Sequence, residues 1–259
     1  MNNLNAIPYT LSVMTLPGMP LVQPGDDLPS LILEAMARAD LVPQDGDVLV
    51  VTSKIVSKAE GQIVDLKSVE PSAEAQRLAQ ETRKDPRIVE LALRDAHEVV
   101  RSGPGILVTR HRLGVVSANA GIDQSNVDGT DDHVLLLPCD PDQSARGIRT
   151  RLHELTGAHV GVVISDSHGR PFRMGNIGVA IGVSGLPALL DLRGNQDLFG
   201  RVLKISMMGY ADMIASTANL MTGEGSEGRP VVLLRGLQPY DGDGSARDLN
   251  RPAEQDLFR

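Results

Sequence analysis

Aromatic residues make up only 2% of this chain, and tryptophan is missing altogether. The core therefore has to be built from Val, Leu, Ile, Ala and the nine Met. Cysteine is nearly absent too. Cys139 stands alone, which excludes an intrachain disulfide and a cysteine-based zinc site and suits a reducing cytoplasm. It ends the apolar run in LLLPCDPD, a setting that favours a structural thiol over a nucleophile. No apolar run approaches the roughly 18 residues of a membrane span. No basic segment followed by an apolar one opens the chain, so no signal peptide is expected. Positive charge is short: the formal net charge of −8 argues against general nucleic-acid binding but leaves anionic small ligands open, because local Arg and Lys can outweigh it. Two nucleotide signatures are also missing. There is no GxxxxGK[ST], and no GxGxxG follows a strand, so neither a P-loop nor a Rossmann dinucleotide site is supported.

What is present is turn chemistry, with 26 Gly and 16 Pro, in a chain of 259 residues, enough for one large domain or two small ones. The stretch that organises it is VGVVISDSHGRPFRMG, residues 160–175. It opens as a buried strand and breaks into Asp166-Ser167-His168-Gly169-Arg170, a polar group where a strand comes to the surface. That is either a plain polar turn or a site at the carboxyl end of a strand.

Apolar runs predict further strands at residues 9–14, 47–51, 134–137 and 231–234, and a hairpin of 105–108 with 113–117 around 109–112. Helical spacing places Leu28, Leu31, Ile32, Ala35 and Met36 on one face of a helix, and Asp140-Pro141 opens another that Gly157 closes. Residues 71–101 read as mostly helical, capped by Ser72 and split by Pro86, and 200–222 as one long helix. Residues 1–8 look frayed, and the tail from Asp241 is polar and poor in apolar residues, either on the surface or ordered by a partner. There is no internal repeat.

Four polar clusters each follow an apolar segment: residues 53–58, 123–126, 166–170 and 223–227. Asp123, Asp166 and Glu224 supply carboxylates, with the Ser167 hydroxyl beside one of them. Hard oxygen ligands of this kind suit Mg²⁺ or Mn²⁺. Lys54, Lys58, Arg170 and Arg173 supply cationic charge for phosphate oxygens, and the glycines of 223–228 allow close backbone approach. The chemistry is that of a metal-dependent phosphate-handling enzyme, or else these are simply polar loops. His168 reads as an exposed turn histidine or as a base or ligand, and His97 and His111 read as surface residues. Asp212 is either solvent-facing on its helix or part of a site.

The motifs GDVLVVTSKIVSKAEGQ, SANAGIDQSNV, ISDSHGRPFRMGNIGVAIG, DLFGR, the Ala211-Asp212 helix and TGEGSEGRPVVLLRG, with RPAEQDLFR at the end, occur in this order. Together they resemble the coenzyme F-420-0:L-glutamate ligase (gamma-glutamyl ligase) family. The resemblance implies an α+β fold of mixed sheets and packed helices, in two intertwined subdomains, whereas the element pattern alone fits an α/β sheet equally well. It implies one ligase unit over residues 10–259 without the C-terminal nitroreductase-like domain fused in some relatives, and a cytoplasmic homodimer.

The implied reaction is GTP-dependent addition of L-glutamate to the deazaflavin coenzyme F-420-0, and then of further γ-linked glutamates, through an acyl phosphate. Two divalent ions, Mg²⁺ or Mn²⁺, are implied, with K⁺ as a further candidate cation. By position, Asp123 and Asp166 would bind one ion and Ser167 and Glu224 the other. Gly18, Met19, Pro20, Leu21, Ser53, Lys54, Lys58 and Asn126 would contact the nucleotide, joined by Thr222, Gly223, Gly225, Ser226, Glu227, Gly228 and Arg229. Asp166 and Arg170 are the candidate catalytic residues, with Arg170 and Arg173 facing anionic substrate groups. The family often has Thr at Ser167, Trp at Phe172 and Tyr at Leu192, the last two bearing on how a flat ring stacks. Two alternatives remain at this stage: a metal-dependent amide ligase for another anionic carboxylate, and a non-catalytic nucleotide-binding regulator.

Overall fold

A computed structural model describes residues 9–256. The expected frayed start at 1–8, and residues 257–259 of the RPAEQDLFR motif, lie outside the described residues.

The chain runs β1 (Ser12–Thr15), α1 (Leu28–Arg38), β2 (Val48–Thr52), α2 (Ser53–Ala59) and β3 (Ile63–Asp65). It continues through α3 (Ala73–Thr82), α4 (Pro86–Asp95), β4 (Ala96–Gly103), β5 (Ile106–His111), β6 (Val116–Ala118) and β7 (His133–Leu135). There follow α5 (Pro141–Thr156), β8 (Gly161–Arg170), β9 (Arg173–Ser184), β10 (Leu190–Asp191), β11 (Met207–Met208), α6 (Tyr210–Thr222) and β12 (Val231–Arg235).

Five strands form the main sheet in the order β1-β12-β2-β8-β9. Every junction is antiparallel except that between β2 and β8. The three central strands are apolar runs because both faces are covered. Leu49, Val51, Val162, Ile164 and Leu233 point to one layer, where α1 and α5 bring Ile32, Met36, Ala145 and Leu152. Val48, Val50, Val163, Val232 and Leu234 point to the other, against Ala211, Ile214, Ala215 and Ala218 of α6. Two glycines let the helices come close to β9. A Cβ on Gly178 would stand 2.5 Å from the Ala215 carbonyl oxygen, and one on Gly182 would stand 2.3 Å from that of Pro141.

Beside this sandwich, α3 and α4 pack on the three-stranded sheet β4-β5-β6, around Leu78, Val89, Ala92 and Leu107. The pair β3-β7 carries a smaller core with Leu66, Ile88, Leu91 and Val134. Mixed antiparallel and parallel pairing with helices on several sheets makes the fold α+β.

The helix caps follow the sequence. The Ser72 side chain accepts from the Ala75 N–H, Pro86 stands in the first turn of α4, and Gly157 closes α5 in the left-handed region. Several elements differ from expectation. Residues 96–103 are strand rather than helix, since Val99-Val100 suit an extended chain that pairs with β5. β5 runs on to His111, moving the turn to 112–115, and His111 is fully buried rather than on the surface. Only 210–222 of the expected 200–222 helix is helical, and Leu220 is exposed. Residues 166–170 form no turn; they remain in β8. Asp212 lies in the first turn of α6 and accepts from the Ala180 N–H at 2.8 Å, where a bulge interrupts the β8–β9 ladder. Burial lifts its carboxyl above the usual range, and its hydrogen bond joins α6 to β9. Cys139 is exposed, not a buried structural thiol.

Candidate functional site

The parallel strands β2 and β8 end side by side, with Thr52 opposite Ser165. Whatever follows them emerges on the same side of the sheet. After β2 the chain turns directly into α2, whose spacing sets Lys54 and Lys58 on one face, one turn apart. After Ser165, β8 continues as a two-stranded ribbon with β9 and carries Asp166, Ser167 and His168. Ser53 Oγ donates to Asp166 Oδ1 at 2.8 Å and ties the two strand ends together.

Two loops close over this junction. Asn119, Ala120 and Gly121 all take positive φ, a sharp reversal that delivers Asp123 to a backbone bridge with Leu135. There the Asp123 carboxylate meets Lys54 Nζ at 2.5 Å and accepts from the Ser125 N–H at 2.8 Å. Lys54 Nζ also donates to the Ser125 carbonyl, and Lys58 Nζ to that of Asn126 at 2.8 Å. The other loop follows α6. Glu224 Oε1 accepts from Ser167 Oγ at 2.7 Å and from Asn219 Nδ2 at 2.9 Å. Glu227 turns back on its own loop and accepts from the Gly225 N–H, and backbone N–H groups hold its carboxyl below the usual range. Asn126 Nδ2 donates to the Gly225 carbonyl at 3.1 Å, so the two loops touch.

The result is a cleft of about 400 Å³. Met19, Pro20, Leu21, Ser53, Lys54, Lys58, Asp123, Asn126, Asp166, Ser167 and Glu224 line it, together with Thr222, Gly223, Gly225, Ser226, Glu227, Gly228 and Arg229. All four clusters thus converge. Gly18 stands outside the lining, its carbonyl accepting from Arg38 Nη2. Arg170 is also elsewhere. Its guanidinium donates to the Met174 and Gly175 carbonyls and closes its own hairpin. Arg173 begins β9 at the exposed end of that ribbon. Thr52, Ser165 and Asn219 line the cleft without having been singled out from sequence. Asn219 could have been found as a polar residue one turn before the end of α6, directly ahead of the glycine-rich loop.

His168 is not an exposed turn residue. Its ring is only 11% exposed, and Nε2 lies 2.9 Å from Asp166 Oδ2. The cleft mixes Lys54, Lys58 and Arg229 with four carboxylates. Lys58 is buried, and burial first, then Lys54, lowers its pKa.

No group of three or more His, Cys, Asp or Glu stands together as a ready metal cluster among the described residues. The donors come instead in oxygen pairs, with spare lone pairs on Asp123, Asp166 and Glu224. One or two protein oxygens per ion, completed by water and phosphate, is the manner in which Mg²⁺ is held, and the all-oxygen set fits a hard dication. A second, more open cleft between α1, α2 and α5 shows no such convergence: Asp27 is taken by Ser30, Glu60 by Ser144 and Arg151 by Glu154.

Comparison with known proteins places the chain in a family. Residues 18–236 match the family F420-0:Gamma-glutamyl ligase. The chain is 48% identical over 254 residues to the coenzyme F420:L-glutamate ligase of Methanopyrus kandleri, covering 96% of this chain and 98% of that one. It is 47% identical to its namesake in Methanocaldococcus jannaschii, over 83% and 86% of the two chains. For that of Methanothermobacter thermautotrophicus the identity is 45%, over 96% and 99%. Such likeness over nearly the whole length, on a sheet whose strand ends gather the four motif clusters, means that this chain belongs to the F420-0:gamma-glutamyl ligase family.

Proposed function

We propose that this protein joins L-glutamate to the terminal carboxylate of coenzyme F420-0, using GTP, in a metal-dependent reaction through an acyl phosphate. One observation carries the reading. Residues from four distant segments, of the types that handle phosphate and divalent ions, line a single cleft at the paired ends of β2 and β8. The family description supplies the acceptor, and the names of the relatives the amino acid.

In this reading Lys58, Lys54, Arg229 and the backbone of the 222–229 loop bind the nucleotide phosphates. Asp123 and Asp166 hold one divalent ion, and Ser167 and Glu224 the other. Bound there, Mg²⁺ or Mn²⁺ would offset the repulsion between phosphate and acceptor carboxylate. The acceptor carboxylate takes the γ-phosphoryl group and releases GDP. The neutral amine of glutamate then attacks the acyl carbon, an amide forms, and phosphate leaves. The chain's task is to align these anions and exclude water. K⁺ is a further candidate cation, to be tested by omission.

A homodimer belongs to the same proposal. Met174, Leu198, Phe199 and Ile205 are each about nine-tenths exposed, and apolar side chains so displayed are characteristic of surfaces that a partner covers. No helix among the described residues is long and apolar enough to cross a membrane.

The test is direct. Purified protein with GTP, Mn²⁺ or Mg²⁺, L-glutamate and coenzyme F420-0 should yield GDP and glutamylated product, and Asp166→Asn should abolish this with its circular dichroism unchanged. GDP release that needs a different acid would replace the acceptor. Tight nucleotide binding without turnover on any acid would replace catalysis by regulation.

A further inference from the structure

Asp166 is held from both sides in the cleft. Its two carboxylate oxygens are each engaged by a different side chain. Ser53 Oγ donates to Oδ1 at 2.8 Å, and His168 Nε2 meets Oδ2 at 2.9 Å. A carboxylate only accepts, so the proton on that second contact sits on His168 Nε2. Both donors are well shielded, Ser53 at 6% and the His168 side chain at 11% exposure. The second contact follows from the strand: Asp166 and His168 are two apart in β8 and share one face.

Each carboxylate oxygen offers about two acceptor positions. Two hydrogen bonds, one per oxygen, leave one free lone pair on each. They also remove the rotation about the side-chain bond that would otherwise have to be frozen when a ligand binds. The first of the two donors, the Ser53 hydroxyl, gives its proton to Asp166 and keeps its acceptor lone pairs.

We propose that His168, together with Ser53, is a positioning residue that presets the Asp166 carboxylate for a divalent cation. Both act on the cation through their contacts with Asp166. The inference rests on the reading of Asp166 as a cation ligand given above. Outer donors of this kind change metal affinity by roughly 10- to 100-fold when removed. The amide of glutamine can place an N–H near the position of His168 Nε2, whereas leucine fills similar space with no donor.

The experiment is Mn²⁺ binding to the nucleotide-free protein, followed by isothermal titration and by the electron paramagnetic resonance signal of free Mn²⁺. His168→Leu and Ser53→Ala should each raise the Kd for Mn²⁺ on the order of 10-fold or more. His168→Gln should stay within about threefold of the wild type, because its N–H keeps the contact. The Mn²⁺ concentration needed for half-maximal turnover should rise in the same proportion. Wild-type affinity in both His168→Leu and Ser53→Ala would overturn the proposal, as would equal losses in His168→Gln and His168→Leu. Asp166→Asn separates this from the reading beneath it. If Asp166→Asn also binds Mn²⁺ as the wild type does, the cation assignment itself falls, and the proposal with it. If Asp166→Asn loses the ion while the other three variants keep it, only the positioning role falls.

Discussion

Arg235 grips Asp47 through two parallel hydrogen bonds, Nε to Oδ1 at 2.8 Å and Nη2 to Oδ2 at 2.7 Å, across 188 residues of sequence. The Asp47 side chain is 1% exposed and sits just before β2, while Arg235 ends β12 beside it. The pair therefore fixes the central sheet at the end away from the cleft. Removing the guanidinium would strand a buried carboxylate with the Gln44 N–H as its remaining partner. Arg235→Met should cost about 3 kcal/mol in urea unfolding. Arg193→Met, at the exposed Asp191 pair, should leave the urea midpoint nearly unchanged. Equal effects from the two would show that burial of Asp47 does not govern the loss.

Two glycines on neighbouring elements should respond to alanine with opposite signs. At Gly182 in β9 a Cβ would meet the Pro141 carbonyl oxygen at 2.3 Å and its carbon at 2.5 Å, and α5 would have to move off the sheet. Gly182→Ala should cost about 1–3 kcal/mol or more. Gly147 lies on the exposed face of α5 with nothing within 4 Å of the added methyl. Gly147→Ala should stabilise by about 0.5–1 kcal/mol through helix propensity. Thermal melts of both variants check the pair, and a stabilised Gly182→Ala would mean that the contact with α5 is not tight.

Apolar runs and caps made most of the sandwich legible in the sequence. β2, β8, β12, α1 and α5 follow from patterns that both faces of a covered sheet enforce. The polar clusters were legible too, 53–58 and 166–170 directly after such a run and 123–126 and 223–227 beyond a turn and a helix. What local pattern hid was α2. SKIVSKA carries β-branched Ile55 and Val56 at its centre, and its helix is held by burial of Ser53, Ile55, Val56, Ser57 and Lys58 rather than by an amphipathic stripe. β3 is three residues long and exists only through its pairing with β7. The continuation of β8 past Asp166 was hidden for the same reason, since Ser167, His168 and Gly169 are extended by their ladder with β9 and not by their own propensity. Arg170 illustrates the limit for site residues. Its charge alone does not show that its guanidinium donates to two carbonyls of its own hairpin.

The loop that brings Asp123 and Asn126 to the cleft is pinned further on by the contact of Asp128 with His133, with Thr130 also donating to Asp128. The His133 hydrogen bond comes first among the causes that pull Asp128 from 3.8 to about 2, and the same contact raises His133 above 6.5. The raised histidine contributes stability that is complete below pH 6.5 and is lost as pH rises through its folded pKa. The depressed carboxylate contributes above pH 3.8, a gain lost as pH falls towards about 2. The melting-temperature difference between wild type and His133→Asn should therefore be largest between pH 3.8 and 6.5 and shrink on either side. A difference that stays flat from about pH 5 to about pH 9 would mean that the pair does not hold the loop.

Lys58 gives the sharpest test of how the cleft takes its nucleotide. It is 8% exposed, donates to the Asn126 carbonyl at 2.8 Å, and feels Lys54 one helical turn away. Burial and that like charge both lower its pKa, so the ammonium form is under strain that a phosphate would relieve. A charge-assisted hydrogen bond is worth about 1.5–3 kcal/mol. Lys58→Met should therefore weaken GDP binding by roughly 10- to 100-fold, measured by isothermal titration, while the protein still melts cooperatively. Lys58→Arg should not restore binding, because the planar guanidinium needs more room than this buried position offers. GDP affinity within about twofold of wild type in Lys58→Met would remove Lys58 from the nucleotide contacts and leave Lys54 and Arg229 as the cations that face the phosphates.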